Sequence, residues 1–292
     1  MKSYPISRMK RLCFILMTMI FTGAAGADEA YANQQHSSFL IFSATAYSFQ
    51  DGQEPSRAED LARNRAISFG LENCRQYLKD AGLTEKDYEF LPGEDGKLLR
   101  ILDSSRIDAN RTGKQLAGIR IIGEVQLRTN ASVVQSAKGP LQVSVSGKKD
   151  QYRKDDEIIF TIQGNKGFYG NLINQNATGE IIQLLPNRLK KTVYFEETRP
   201  HLFPDQKRGE TFHLIVDEPY GNEKIFLFAS TEEFEPLLDR YKGVFGTIKE
   251  SMNSVRDTLT AHLVKTLQAH DARVTFYCLP LSIAEMEFST AP

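Results

Sequence analysis

From residue 141 to residue 230 the chain is a succession of short apolar runs cut by turn residues, and that rhythm narrows the fold more than any other feature. Leu141-Gln-Val-Ser-Val145 alternates between apolar and polar. Ile158–Ile162, Phe168–Asn174, Glu180–Leu185, His213–Val216 and Lys224–Ala229 are rich in β-branched or aromatic residues. Runs of this length and composition, separated by Gly, Pro, Asn and Asp, read as strands. Phe168–Asn174 and Glu180–Leu185 face each other across Gln175–Gly179 and predict a hairpin. Several antiparallel strands with turns between them predict an antiparallel β-sandwich.

The turn before Glu180 also raises a chemical question, because a glycine turn is one component of a phosphate cradle. Such a loop needs glycines flanking a lysine and a hydroxyl residue at a helix start, so that successive amides face the anion. Here Gly179 is followed by Glu180, which repels phosphate, and by Ile181-Ile182, which prefers strand. Gly179 is therefore expected to supply a positive φ in a hairpin turn. Pro186, without an amide hydrogen, is expected to end the pairing.

Ahead of the sandwich, residues 35–135 predict a small α+β domain in the order β-α-β-β. Phe39–Tyr47 is the first strand, broken by Asp51-Gly52 and Pro55. Ser56-Arg-Ala-Glu59 has the form of a capping box. The following helix carries Ala58, Leu61, Ala62, Ala66, Phe69, Cys74, Tyr77, Leu78 and Ala81 at helical spacing, and Gly82 ends it. Leu98–Ile107 and Gln115–Arg128 are two more strands. Residues 130–140 read as a linker ending in Gly-Pro, and the sandwich domain occupies residues 139–292. Within it, Pro236–Gln268 shows helical spacing in two runs, Leu237 to Ile248 and Met252 to Leu267. This predicts a helical insertion near the C-terminus before a closing strand at Arg273–Leu279.

The amino terminus has a basic stretch, an apolar run and a small-residue exit, the layout of a secretory signal peptide over residues 1–27. The apolar run is shorter than the roughly 20 residues needed to span a bilayer. Removing residues 1–27 deletes four basic and no acidic side chains, taking the formal net charge from −1 to −5. Cys13 lies at the start of the apolar run and not at a cleavage site, which argues against lipidation. A mildly acidic chain lacks the clustered Lys and Arg of a nucleic-acid footprint. Localisation is expected to be periplasmic or secreted, with membrane association peripheral at most. Cys74 and Cys278 remain after cleavage; they either pair in an oxidising compartment or stand as separate buried thiols.

The motifs Tyr152-Arg-Lys-Asp-Asp156, Gly167-Phe-Tyr-Gly170, Gly179-Glu-Ile-Ile-Gln-Leu-Leu-Pro-Asn187, Phe203-Pro204 and Glu218-Pro-Tyr-Gly-Asn-Glu223 occur in that order. In this the stretch resembles the DUF4384 family, which usually has Gly where this chain has Asp155. The resemblance implies a sandwich of exported and surface proteins without a known catalytic set. Ala44-Thr-Ala-Tyr47, Ala62-Arg-Asn-Arg-Ala-Ile67 and Gly118-Ile-Arg-Ile-Ile-Gly123 resemble the amino-terminal domains of the Lpp20-like lipoproteins and the flagellar assembly protein FlgT. That likeness implies an envelope-associated, non-enzymatic module, although this chain departs from the lipoprotein pattern at the cleavage site.

Few residues point to chemistry. The five histidines have no zinc-ligand spacing, and no Gly-x-Ser-x-Gly elbow is present. No cofactor, metal or catalytic set is expected. Asp155-Asp-Glu157 has the charge to hold calcium or to form a solvated bend. Arg188, Lys190 and Lys191 form a basic stretch suited to an acidic partner or a solvated loop, and Tyr194 and Tyr220 suit a binding surface or a core. The expected function is an exported, non-enzymatic envelope protein that binds another envelope protein or assists assembly. The alternatives are a hydrolase of cell-wall or surface polymers using carboxylates including Asp155, Asp156, Asp217 and Glu218, and a small-ligand carrier built on the aromatic residues.

Overall fold

The structure, a computed structural model, describes residues 35–49, 54–93, 95–111, 114–129, 139–197, 199–208, 212–238, 241, 243–271 and 274–292. The signal-peptide segment, the Asp51-Gly52 turn and residues 130–138 of the expected linker lie outside the described residues. The chain runs β1 (Gln35–Phe49), α1 (Pro55–Asp80), β2 (Tyr88–Leu91), β3 (Arg100–Arg111), β4 (Lys114–Thr129), β5 (Val143–Gly147), β6 (Gln151–Arg153), β7 (Glu157–Ile158) and β8 (Phe160–Gly164). It continues through β9 (Phe168–Gln175), β10 (Ile181–Leu185), β11 (Tyr194–Phe195), β12 (His201–Phe203), β13 (Leu214–Ile215), β14 (Asn222–Ser230), β15 (Gly246–Ile248), α2 (Met252–Ala269) and β16 (Phe276–Ala291). The strands pair almost entirely antiparallel, as the spacing predicts.

The main sheet has the order β15-β10-β9-β14-β16-β1-β4-β2, with β3 also on β4, β11 on β9 and β6 on β16. A second sheet, β12-β8-β5, packs on its carboxy-terminal half. Strand β16 joins the two halves: Phe39 lies opposite Leu281 on one side, and Phe228 lies opposite Ile283 on the other. Because successive side chains on a strand point to opposite faces, both faces of β14 and β16 are used. Ile225, Leu227, Ala229, Ala284, Met286 and Phe288 meet the second sheet, whereas Phe226, Phe228, Leu281 and Ile283 meet α2.

The amino-terminal segment has the order β-α-β-β-β and not β-α-β-β, because the short strand β2 forms between Gly82 and the strand expected to begin at Leu98. Tyr88 and Phe90 explain it: their rings lie 5.6 Å apart, and β2 pairs with β4 between Thr129 and Gln126. Helix α1 buries Ala58, Ala62, Ala66, Gly70, Cys74 and Leu78, a strict four-residue stripe of mostly small side chains. The expected capping box does not form. Pro55, with its fixed φ, starts the helix two residues earlier, so Ser56 is already inside it and Glu54 is the N-cap without a side-chain hydrogen bond. Glu59 instead pairs with Arg106 at 2.6 Å. At the other end Gly82 has φ +84°, its amide donates to Lys79 and that of Leu83 to Leu78, a Schellman stop.

The β9–β10 hairpin and its turn form as expected. Gly179 has φ +84° and donates to the Asn176 carbonyl at 2.8 Å, and β10 ends at Leu185 before Pro186. The helical reading of Leu237 to Ile248 is wrong. Gly243 is left-handed at φ +84°, and a Cβ on Gly246 would lie 2.4 Å from Leu238, so the chain folds back on itself there. It then adds β15 to the edge of β10, with Ile248 opposite Ile181. The second run is the helix α2, capped by Ser251, whose hydroxyl accepts from the Ser254 amide. The closing strand extends to Ala291, far beyond Leu279.

Charged residues fasten α2 to the sheet. Arg120 of β4 is buried and donates to the Leu267, Gln268 and His270 carbonyls at the end of α2, and its Nε donates to Ser43 at 2.8 Å. These carbonyls are the acceptors that a helix end leaves unpaired, so a cation there is doubly favourable. Arg256 of α2 reaches Glu124 of β4 at 2.7 Å while lying 4.4 Å from the centre of the Phe39 ring. Arg120→Met is expected to lower the stability by about 2–3 kcal/mol, measured as a shift of the urea midpoint, because buried carbonyls lose charged donors.

His262 on α2 is buried, and desolvation lowers its pKa below the ordinary value; Glu235, 3.6 Å away, opposes that shift and Lys265 adds to it. The folded protein thus holds His262 neutral where the unfolded chain would protonate it. The sign follows: this contribution is complete above the ordinary histidine pKa of about 6.5 and is lost as the pH falls below it. His262→Gln is expected to flatten that part of the dependence, which denaturation at pH 7.5 and pH 5.5 would measure.

Candidate functional site

A cleft among the described residues brings together two of the candidate side chains, Lys190 and Tyr194. It encloses about 290 Å³ and is lined by Leu185 at the end of β10, Asn187, Leu189 and Lys190 from the following loop, and Tyr194 and Phe195 of β11. His201, Leu202 and Phe203 of β12, Asp205 and Phe212 close the other side. Strand β11 pairs with β9 of the main sheet, and β12 pairs with β8 of the second sheet. The cleft therefore opens between the two layers of the sandwich.

Its floor is aromatic. The Phe195 ring stacks on Phe168 at 4.9 Å and meets the His201 ring edge-on at 5.3 Å. Phe212 links Phe203, 5.8 Å away, to Phe245, 5.3 Å away. His201 is oriented by a 3.0 Å contact with the Glu196 carbonyl, and Lys190 holds its ammonium 5.9 Å from the centre of the Phe195 ring. Above this floor the rim is unusually apolar for a surface: Leu189 is 56% exposed, Tyr194 52% and Leu202 42%. Contiguous exposed apolar side chains with polar neighbours mark interaction sites more often than scattered ones do.

The rim loop is tied down by hydrogen bonds. Asn187 is fully buried; its carbonyl oxygen accepts from the Leu189 and Lys190 amides at 2.9 Å each, and its NH₂ donates to Leu184 at 3.0 Å. Gln183, also fully buried, donates to the Pro186 carbonyl at 2.7 Å and contacts the Tyr241 hydroxyl at 3.2 Å. The peptide bonds before Pro186 and Pro204 are cis. Two glycines make room for the aromatic residues: a Cβ on Gly167 would lie 2.1 Å from the Tyr194 hydroxyl, and one on Gly170 would lie 3.0 Å from the Phe195 ring. The motifs Gly167–Gly170, Gln183–Asn187 and Phe203-Pro204 thus build and buttress one cleft.

Of the candidate residues, Lys190 and Tyr194 line the cleft. Arg188 and Lys191 are exposed on the same loop outside the lining, with the Arg188 amide donating to Val244 at 3.0 Å. Tyr220 packs on the sandwich core elsewhere. Leu189, Leu202 and Phe212 were not singled out from the sequence; isolated apolar residues in loops carry no periodic signal, and what assembles them is the pairing of β12 with β8. Lys166, between β8 and β9, is half-buried, and desolvation holds its ammonium below the ordinary lysine range.

The acidic stretch 155–157 forms a bend. Asp156 accepts from the Arg153 amide and from Lys149, both at 2.8 Å, which holds its carboxyl below the ordinary range, the backbone bond contributing most. Glu157 meets His213 and Gln206 at 2.7 Å each. Among the described residues no group of three His, Cys, Asp or Glu side chains is placed to hold a metal ion, and no helix is long and apolar enough to cross a membrane. Asp155 itself has φ +66°, the left-handed region in which glycine carries no penalty. Asp155→Val is expected to cost about 1–2 kcal/mol, whereas Asp155→Gly stays within about 0.5 kcal/mol of the original or exceeds it, as thermal unfolding would report.

No curated protein matches the chain. Residues 151–233, which carry β6 to β14 and every residue that lines the cleft, match the family described as a domain of unknown function (DUF4384).

Proposed function

We propose that the protein is an exported, non-enzymatic binding module of the bacterial envelope, and that the cleft between the two sheets is where it takes hold of a partner protein. One observation carries this reading. The exposed Leu189, Tyr194 and Leu202 converge on a single cleft, and that cleft lies wholly within residues 151–233, the stretch that matches DUF4384. An apolar rim over an aromatic floor, with Lys190 and Asp205 supplying one charge of each sign, suits the anchoring side chains of a protein surface or of an extended peptide. The likeness of the amino-terminal segment to the Lpp20-like and FlgT domains belongs to the same proposal, with α1 and β1–β4 as the docking or assembly part. Export rests on the signal-peptide layout of residues 1–27.

The rival readings draw less support. A hydrolase needs a carboxylic acid whose pKa is raised toward neutrality, and the carboxyl groups with a resolved shift, Asp87, Asp95, Asp156 and Glu235, are all lowered. A carrier of small molecules commonly encloses about 300–1,000 Å³, and the cleft is at the low end at about 290 Å³. Its sandwich interior is occupied by Tyr152, Phe160, Phe168 and Phe203.

The test is a photo-cross-linking amino acid in place of Tyr194, with the same substitution at the exposed Val274 as the control, followed by mass spectrometry of the cross-linked cells. One envelope protein is expected at the first position and not at the second. Tyr194→Ser combined with Leu202→Ser is expected to weaken its capture at least tenfold without lowering the thermal midpoint. Equal labelling at both positions, or capture unchanged in the double variant, would overturn the proposal.

A further inference from the structure

The two cysteines of the described chain come from opposite ends of the fold and meet under α1. Cys74 lies on the buried stripe of the helix and has no exposed surface; Cys278 lies on β16 and is half-buried. Both thiols are free, and Cys278 packs against the buried apolar cluster that contains Cys74. Three features hold the helix this close to the strand. Gly70, one turn before Cys74, lets the Phe42 ring press against the helix backbone, where a Cβ would lie 2.1 Å from the ring. Phe42 is the cross-strand partner of Cys278, and its ring stacks on Phe276 at 6.1 Å. Leu40, Leu78 and Val125 complete the same apolar cluster.

We propose that Cys74 and Cys278 are a dithiol–disulfide pair, and that oxidation by a disulfide-bearing oxidant joins α1 covalently to β16. The half-buried Cys278 is the sulfur an oxidant can reach. Its thiolate attacks one sulfur of the oxidant's disulfide, forming a mixed disulfide and releasing the other sulfur as a thiolate. Cys74 then gives up its proton to solvent and attacks the Cys278 sulfur, releasing the second thiolate. The protein has lost two electrons and two protons, and the oxidant's disulfide has become two thiols. Burial of Cys74, with the neighbouring Cys278, keeps its thiol protonated well above the ordinary cysteine range, so closure is the slower step and quickens with pH.

The bond would close a loop from residue 74 to residue 278, well over half of the chain, and a cross-link restricts the unfolded state more the longer the loop it closes. It also joins the first helix to the last strand, which no stretch of continuous backbone does. This proposal stands on the cysteine geometry alone and is independent of the cleft.

The experiment uses the full chain carrying Cys13→Ser, reduced and then exposed to glutathione disulfide. The expected product is a monomer lighter by two hydrogens, without maleimide-reactive thiols in denaturant, and with a thermal midpoint raised by about 5 °C or more. Cys74→Ala is expected to stop at the glutathione adduct on Cys278, and Cys278→Ser is expected to leave Cys74 unmodified in the folded state. The proposal is overturned if both thiols of the parent chain still react in denaturant after oxidation, or if the bond forms between two chains. A loss of two hydrogens that persists in the Cys74→Ala variant would overturn it equally. Circular dichroism of each variant separates a failure to pair from a failure to fold.

Discussion

Strand β16 is the element on which the rest of the fold depends. It is paired from Phe276 to Glu285 with β1 and from Leu281 to Ser289 with β14, so its middle section is hydrogen-bonded on both sides. Without it, β1 and β14 would each present an unpaired edge of nine or more residues, and those edges carry the apolar runs Phe39–Phe42 and Ile225–Ala229. Exposed edges of this kind invite pairing with another chain. The last 16-residue strand therefore completes a sheet whose other members were made long before it. A large part of the fold is consequently non-local, a topology in which closure must be bought with chain entropy before contacts repay it.

The register of β16 also decides what each face of the sheet carries. With Ala284, Met286 and Phe288 turned one way, the second sheet has an apolar surface to cover; with Leu281 and Ile283 turned the other way, α2 has one too. A shift of one residue would exchange the two sets. Two polar contacts act against such a shift by tying α2 to β4 and not to β16: Arg120 at the helix end, and Arg256 with Glu124 near its start. Glu124 is almost fully buried and one of its oxygens has no partner, so the pair is costly in solvation. Its contribution lies in fixing position more than in adding stability.

What could be read from the sequence was what is local. The β9–β10 hairpin was legible because its turn must be made by Gly179 and its strands are adjacent, and α1 was legible because its stripe recurs every four residues. Local patterns also misled. Ser56–Glu59 has the right residues for a capping box but the wrong place relative to Pro55, and Leu237 to Ile248 has helical spacing yet contains Gly243 and Gly246, which permit the chain to fold back. The meeting of Cys74 with Cys278 could be offered from the sequence only as one of two alternatives, and that of Leu189 with Leu202 was beyond reading. The first depends on strand pairs separated by much of the chain, the second on β11 and β12 joining two different sheets, and an apolar residue in a loop looks the same whether it ends in a core or on a rim.

The same division explains why Lys190 and Tyr194 were found and most of the cleft was not. A loop can be recognised by its composition, but the opposite wall belongs to another sheet. Here the loop after β10 is held by the buried amide of Asn187, while β12 is held by β8, and the distance between them is set by the packing of the two layers around Phe168, Phe195 and Phe203. Layers of a sandwich pack about 10 Å apart, so a gap at their margin is wide enough for one side chain or an extended strand and too narrow for a folded element. The shape of what can enter is thereby limited by the core itself. A partner that enters with an apolar side chain would bury Leu189, Tyr194 and Leu202 without moving either wall, since both are already fixed by hydrogen bonds within the free protein. Binding at such a place costs little ordering of the protein, and an apolar rim of modest area can then suffice for a specific contact.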